Sequence, residues 1–398
     1  MLRISKDIRN YNLIRDVSKH LKRGHRWIFS DCFKSDEKFQ NGLGLICLKN
    51  ESLAIALIQS DTNLKARVLS LLHGKNNPSH QLKQYLELAW TRAVQLRAMF
   101  PNEKTNSFRL INGEGDGFPG LIIDIYNQTA VIKHDHPMME QIWDHENLVE
   151  KLTKQFPFLQ SIYLKRKNDL EEKGEDLFGK LQSEVQFLEN GILFESNIRD
   201  AAKTGFFLDQ RDNRLLISKL SNHKSVLNLF SYTGGFSLFA AHGGAREVTS
   251  VDIAPAAIKA SENQFKLNNF KCPHHAICED AFDFLEKAKN EKRTWDLVIT
   301  DPPSFAPNQK ALDKAIEGYT RVFASSIKLV PPGGLFAASS CSSHIGYDIF
   351  LEILQNSFSQ ARRRGTVVYI GGQPTDHPFP LIMTELRYLK FVLFRLDD

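Results

Sequence analysis

Apolar positions follow a repeating pattern over the second half of the chain, from residue 196 to residue 398. Short apolar runs of strand length alternate there with stretches whose apolar residues recur at helical spacing, as over 256–268 and 313–329. The runs begin near Val226, Val248, Ala276, Leu297, Leu335, Val367 and Tyr388. Repeated strand–helix units predict an α/β fold, a doubly wound and mostly parallel sheet of seven strands, with ligands at the carboxyl ends of the strands.

The first half of the chain has a different pattern. Short strand patterns separated by turn residues predict a small β-barrel over residues 1–75; they lie at 27–29, 43–48, 53–59 and 64–72. Residues 76–195 combine helical patterns with paired strand patterns and predict a compact α+β domain. We therefore expect three domains, over 1–75, 76–195 and 196–398.

Composition narrows the class of protein. The 398 residues are 42% hydrophobic, but no apolar run approaches the ~18 residues of a membrane span, and the charged first ten residues do not form a signal peptide. Five scattered cysteines predict reduced thiols and a cytoplasmic location. The nearest approach to a zinc motif flanks a predicted strand, so we expect no metal; it consists of Cys272, His274, His275 and Cys278.

Positive charge is concentrated near the start of the chain. Residues 1–75 contain 14 Lys and Arg against 7 Asp and Glu, although the whole chain carries only +5. Together with the cations Arg23 and Arg26 beside Trp27, this predicts a surface that contacts RNA. A plain solvated basic surface, with Trp27 packed in the core, is the alternative.

A glycine turn at residues 225–236 directs attention to a nucleotide-type ligand. An apolar strand runs into Thr233-Gly234-Gly235, and a helical pattern restarts directly afterwards. Asp252 follows the next strand, where an acidic residue would hold the hydroxyls of a ribose. Because the glycine fingerprint for a pyrophosphate is missing, the pattern favours S-adenosylmethionine (SAM), which has a ribose and an adenine but no phosphate.

Further chemistry-bearing residues follow the next strands in turn. Asp280 comes after the third strand, Asp301-Pro302-Pro303 after the fourth, and Cys341 after the fifth. Each has a structural alternative: a helix N-cap, a strand terminator, or a small buried hydrophobe. Five successive strand ends carry such residues, and this regularity favours SAM binding over the structural alternatives.

Motifs spread over nearly the whole chain resemble one family, the PUA-domain 23S ribosomal RNA 5-methylcytosine methyltransferases (ribosomal large-subunit methyltransferase I). The matching segments are residues 24–30, 111–120, 203–211, 228–236, 301–303 and 340–342. The resemblance implies a PUA-like RNA-binding barrel, a central α+β domain and a Rossmann-like class I methyltransferase domain. It also implies SAM as cofactor and large-subunit ribosomal RNA as partner, and leaves open whether the protein is a homodimer.

Site residues follow from the motifs and the resemblance together. The expected cofactor contacts are Phe206, Gln210, Asn228, Phe230, Ser231, Tyr232, Thr233, Gly234, Asp252, Ile253, Asp280, Ala281 and Asp301. Cys341 is the expected nucleophile, because a thiolate that adds to C6 of cytosine makes C5 reactive toward a methyl donor. Asp301 would hold the base, and Phe305 would stack on it after it leaves the RNA stack.

Two other functions stay open at this point. An amino-group methyltransferase also uses an Asp-Pro-Pro loop, but it needs an aromatic directly after the prolines, where this chain has Ser304. A non-catalytic RNA-binding or ribosome-assembly factor would not need Cys341 and Asp301. Many RNA 5-methylcytosine methyltransferases carry a second cysteine where this chain has Pro303, so the group that removes the C5 proton stays open. His344 could tune Cys341 or accept that proton, and a plain surface histidine is the alternative.

Overall fold

The computed structural model describes residues 1–3, 8–49, 51–72, 77–166, 174–305 and 309–398. They divide into two compact units where three domains were expected. The first unit comprises Met1–Phe187, Ser196–Phe206 and Thr375–Thr384, and the second comprises Leu188–Glu195, Phe207–Pro374 and Glu385–Asp398. The boundary expected between residues 75 and 76 lies outside the described residues.

A five-stranded sheet occupies the N-terminal part of the first unit. Its strands are β1 (Arg9–Asn12), β2 (Trp27–Phe29), β3 (Gly42–Leu48), β4 (Glu51–Ile58) and β5 (Leu64–Leu71), with helix α1 at Ser18–Lys22. The order is β1-β3-β4-β5-β2. The described pairings thus leave β1 and β2 at the two edges and do not include the pairing that would close a barrel.

The rest of the first unit contains a second five-stranded sheet with helices. Its elements are α2 (Pro78–Leu96), β6 (Ser107–Asn112), β7 (Leu121–Tyr126), β8 (Thr129–His134), α3 (Pro137–Ile142), α4 (His145–Gln155), β9 (Ser161–Lys165) and β10 (Glu175–Phe178). The sheet order is β10-β9-β8-β7-β6. Strands β11 (Val185–Glu189) and β12 (Ile192–Ser196) form a separate two-stranded sheet, of which Leu188–Glu195 belong to the second unit.

The two sheets of the first unit share part of their core. Alternate residues of β4 point to opposite faces. Ile55 and Leu57 join a cluster with α2 and the second sheet. Ala54 and Ala56 join a smaller cluster that belongs to the N-terminal sheet alone. Burial on both faces ties the basic N-terminal segment to the central one.

The second unit is built from strand–helix repeats. Its elements are α5 (Arg211–Leu220), β13 (Ser225–Leu229), α6 (Gly235–His242), β14 (Glu247–Asp252), α7 (Pro255–Leu267), β15 (His274–Cys278), α8 (Ala281–Asn290), β16 (Leu297–Thr300), α9 (Leu312–Ile327), β17 (Leu335–Ser340), α10 (Tyr347–Ala361), β18 (Gly365–Gly371) and β19 (Lys390–Leu396). The sheet order is β15-β14-β13-β16-β17-β19-β18.

The direction of the strands places the candidate site. The strands from β13 to β17 pair in parallel, and β19 returns antiparallel between β17 and β18. The chain winds outward from β13 to β14 on one side and to β16 on the other, so the switch point of the sheet lies at β13. Among the described residues, no helix is long and apolar enough to cross a membrane.

Candidate active site

The turn after β13 has an uncommon backbone conformation. Phe230, Tyr232 and Gly234 have φ values of 56°, 47° and 83°, in the left-handed region. A Cβ atom on Gly234 would lie 2.4 Å from Oγ of Ser261 on α7. Glycine is therefore required here both by its own φ and by the close approach of α7.

Asp252 fixes this turn to the end of β14. Its Oδ2 accepts the N–H of Tyr232 at 2.8 Å, and its Oδ1 accepts the N–H of Ala254 at 2.9 Å. The next residue, Ile253, leaves 68% of its side chain exposed. A carboxylate beside an exposed apolar side chain suits a ribose joined to an adenine.

Asp280, after β15, is the N-cap of α8. Its Oδ1 accepts the N–H groups of Phe282 at 2.8 Å and of Asp283 at 3.3 Å. Asp280 therefore caps the helix, as the structural alternative predicted. Both of these capping bonds are accepted by the same carboxylate oxygen, Oδ1. Ala281 is the first residue of this helix and is buried. The predicted cofactor contacts of Asp280 and Ala281 remain predictions.

Two polar residues, one on β13 and one in the turn after it, differ in whether their side chains find hydrogen-bond partners. The Asn228 amide is buried and donates to Oγ of Ser237 at 2.9 Å, which is 2.7 Å from Oγ of Ser250. Ser231, in contrast, has a buried hydroxyl that finds no hydrogen-bond partner in the described part of the chain. A buried polar atom without a partner is costly, and a polar ligand at this turn would satisfy it. Thr233 is half-buried beside it.

Gln210, at the start of α5, connects two strand ends. Its Nε2 donates to Oδ2 of Asp301 at 2.9 Å and to Oγ of Ser339 at 2.9 Å. Its Oε1 accepts from Nδ2 of Asn213 at 2.6 Å. The amide therefore orients the Asp301 carboxylate, a role that the sequence did not reveal.

Phe206 belongs to the first unit, unlike the other expected cofactor contacts. Its N–H donates to Oη of Tyr126 at 3.2 Å, and its ring centroid lies 5.4 Å from that of Phe187. A contact between Phe206 and the cofactor stays a prediction.

Tyr319, on α9, joins the two loops that carry Asp301 and Cys341. Its hydroxyl accepts from Oγ of Ser340 at 3.2 Å and donates to the carbonyl of Pro303 at 3.3 Å. Burial is the main cause that raises the pKa of Tyr319 to about 12, and the negative charges of Cys341 and Asp301 contribute to this rise. Both groups therefore lie within electrostatic reach of one hydroxyl, which the sequence analysis had not singled out.

Phe305 packs within the Asp301 loop. Its ring centroid lies 4.7 Å from that of Tyr319 and 6.5 Å from that of Phe230, and the side chain is half-buried. Stacking of this ring on a target base remains a prediction.

A second group that the sequence analysis missed is Lys390, at the start of β19. The side chain is 1% exposed, and its ammonium donates to the carbonyls of Ser342 at 2.5 Å and of Tyr388 at 2.8 Å. Burial lowers the pKa of Lys390 to about 8. The only sequence signal was a lysine at the start of a mostly apolar strand.

The residues expected to contact RNA lie in the first unit, apart from Phe305. Arg23 is exposed, whereas the Arg26 guanidinium donates to the carbonyls of Val68 and Leu69 at 3.2 and 2.9 Å. The indole N–H of Trp27 donates to Glu114 at 2.8 Å. Packing thus accounts for much of Trp27, and a cleft of about 230 Å³ lies along Gly24, His25 and Arg26.

The chain is similar in sequence to known methyltransferases. A model of the S-adenosylmethionine-dependent methyltransferase family matches residues 131–369. The ribosomal RNA large subunit methyltransferase of Deinococcus radiodurans is 32% identical over 394 residues, which cover 95% of each chain. Ribosomal RNA large subunit methyltransferase I of Alteromonas mediterranea is 30% identical over 389 residues, which cover 96% of this chain and 97% of that protein.

Solved structures give the same result. A protein described as a SAM-dependent methyltransferase from Streptococcus mutans aligns with a TM-score of 0.84 at 25% identity, over 98% of this chain and 100% of that one. A methyltransferase structure in complex with S-adenosylhomocysteine (SAH) aligns with a TM-score of 0.85 at 25% identity and the same coverage. SAM is the cofactor, and the turn after β13, Asp252 and the unpartnered Ser231 hydroxyl suit it. The chain belongs to the ribosomal RNA large subunit methyltransferase family of SAM-dependent methyltransferases.

Proposed function

We propose that this protein methylates C5 of a cytosine in 23S ribosomal RNA, with the thiolate of Cys341 as nucleophile. The names of its relatives support ribosomal RNA of the large subunit as substrate. The position of Cys341 directly after β17, at the carboxyl edge of the sheet, supports the nucleophile. This substrate also agrees with the cytoplasmic location expected from the sequence.

Each residue has a defined task in the proposed reaction. The Cys341 thiolate donates an electron pair to C6, and the electrons of the C5–C6 double bond then make C5 nucleophilic. Bound SAM supplies the methyl group that C5 takes up. Loss of the C5 proton to a base restores the double bond and expels the thiolate. Asp301 would hold N3 and the exocyclic amine of the ring during these steps.

The hydrogen bonds of the Tyr319 hydroxyl support this proposal most strongly. It bonds to Ser340, next to Cys341, and to Pro303, two residues after Asp301. One buried tyrosine thus links the two loops that carry the proposed nucleophile and the proposed base-holding carboxylate. An amino-group methyltransferase has no use for a cysteine in that position.

RNA would be bound in part by the first unit. Exposed Arg23 and the cleft beside His25 and Arg26 combine positive charge with a concave surface. Phe305 would stack on the extruded base.

A homodimer is supported by the free edge of the second unit's sheet. Strand β18 lies at that edge, and its residues Val367, Val368, Tyr369 and Ile370 are 46%, 49%, 38% and 52% exposed. An apolar edge strand pairs readily with a second copy. Light scattering after size exclusion should show a dimer for the native chain and a monomer for Val368→Lys; a monomeric native chain would reject the dimer.

Nucleoside mass spectrometry tests the main proposal. Large-subunit ribosomal RNA is incubated with labelled SAM and either the native protein, Cys341→Ala, or the control Cys278→Ala. We expect labelled 5-methylcytidine with the native protein and the control, and none with Cys341→Ala. Label on an amino group, or label unaffected by Cys341→Ala, would contradict the proposal and favour an amino-group methyltransferase. Binding of SAH without any label would favour a non-catalytic factor.

A further inference from the structure

The chain on both sides of Cys341 is tied to one buried cation. In the antiparallel pairing of β17 with β19, Ser340 lies opposite Lys390. The ammonium of Lys390 then donates to the carbonyl of Ser342, on the other side of the cysteine. Cys341 is therefore bracketed by a strand partner and a hydrogen bond of the same lysine.

The charge of Lys390 is only partly compensated by its hydrogen bonds. Two of its three N–H groups are taken by the neutral carbonyls of Ser342 and Tyr388. Within the described ranges, no carboxylate forms an ion pair with this ammonium. A charge buried to 1% exposure is unfavourable unless an opposite charge lies nearby.

Two groups act on Lys390 electrostatically besides burial itself. The negative charge of Cys341 raises the pKa of Lys390, and the positive charge of Arg387 lowers it. Such an interaction is reciprocal, because a thiolate that stabilises an ammonium is stabilised by it to the same extent. From α9, Tyr319 faces the same thiol as a neutral hydroxyl.

We infer that Lys390 is a positioning residue that holds Cys341 as a thiolate before the RNA base arrives. Its ammonium compensates the negative sulfur, and the thiol proton passes to water. The hydrogen bond to Ser342 holds the ammonium at the backbone directly after Cys341. The role of Lys390 and Cys341 in catalysis rests on the proposed function, whereas the ionisation of the Cys341 thiol can be measured independently of it.

A reactivity profile of Cys341 tests the inference without RNA or methyl transfer. The protein is alkylated with iodoacetamide at a series of pH values, and the rate at each cysteine is followed by peptide mass spectrometry. Thiolates react and thiols do not, so the midpoint reports the thiol pKa. Exposed Cys278, in the same sample, is the internal reference.

In the native protein we expect Cys341 to react with a midpoint below that of Cys278. In Lys390→Met the Cys341 midpoint should rise by about one pH unit or more, so that the rate at pH values below both midpoints falls about tenfold or more. The matched control Lys219→Met, on the exposed face of α5, should leave the rate unchanged. Lys390→Arg, which keeps the charge, should restore most of it.

Several outcomes would overturn the inference. A native Cys341 midpoint at or above that of Cys278 would do so without any variant, even if Lys390→Met does not fold. An unchanged profile in a folded Lys390→Met protein, verified by SAH binding, would reduce Lys390 to a structural clamp. Either result leaves the methylation test of Cys341→Ala intact, so failure here and failure of the proposed function are separately visible.

Discussion

Gln210 offers a sharp test, because sequence and structure assign it different tasks. The sequence predicts a cofactor contact, whereas the structure uses its amide to orient Asp301 and Ser339. We consider Gln210→Leu, which keeps most of the volume and removes the amide. The exposed Gln355→Leu on α10 is the matched control.

The size of the effect follows from the bonds that are removed. The bond to the Asp301 carboxylate is charge-assisted and partly buried, and such a bond is worth about 1.5–3 kcal/mol. Asn213 loses one acceptor but keeps a bond to the carbonyl of Gly372 at 3.3 Å. We therefore expect the free energy of unfolding to fall by about 2–4 kcal/mol. A carboxylate displaced by about 1 Å should lower kcat by about 10- to 100-fold.

The assay separates the two tasks. Methylation kinetics give kcat, and calorimetric titration with SAH gives the affinity for the cofactor product. If Gln210 acts through Asp301, kcat falls while the Kd for SAH changes by less than about threefold. A Kd that rises as much as kcat falls would show direct cofactor contact, and unchanged values of both would refute the positioning role.

Three further predictions follow from single contacts. Tyr319→Phe removes the hydroxyl between Ser340 and Pro303, so kcat should fall and urea unfolding should show a loss of about 1–2 kcal/mol; native kcat would contradict this. Asp280→Asn should keep the helix cap yet weaken SAH binding several-fold by titration, whereas Asp280→Ala should also lose about 1 kcal/mol of stability; unchanged SAH affinity in Asp280→Asn would leave only the cap. Burial lowers the pKa of Lys390 to about 8 from 10.5, so the penalty for its charge is full below pH 8 and is relieved as the pH rises to 10.5. Stability of the native protein relative to Lys390→Met should therefore rise by about 3 kcal/mol over that range in denaturant titrations; a flat or falling difference would contradict it.

The strand ends were predictable because they depend on local pattern. Apolar runs bounded by turn residues located β13, β14 and β16, and parallel pairing then brought Asp252, Asp301 and Cys341 to one edge. The order of the apolar runs along the chain was enough to predict that these three residues share one edge of the sheet.

Other features depend on contacts between residues far apart in sequence. Lys390 reaches the Cys341 loop only through the antiparallel register of β19, and a single sequence does not reveal that register. The segment Thr375–Thr384 returns to the first unit after the strand β18 of the second. Its Asp376 accepts the N–H of Arg109 at 2.9 Å, a bond between residues 267 positions apart.

The central claim is that Cys341 forms a bond to C6 of a cytosine, and trapping that bond tests it most directly. Large-subunit RNA containing 5-fluorocytidine is incubated with the protein and SAM, because fluorine at C5 blocks the final elimination and preserves the adduct. The account predicts a denaturation-resistant protein–RNA complex whose linked peptide contains Cys341, absent without SAM and absent in Cys341→Ser. A link at another residue, or 5-methylcytidine formed by Cys341→Ser at the native rate, would contradict it.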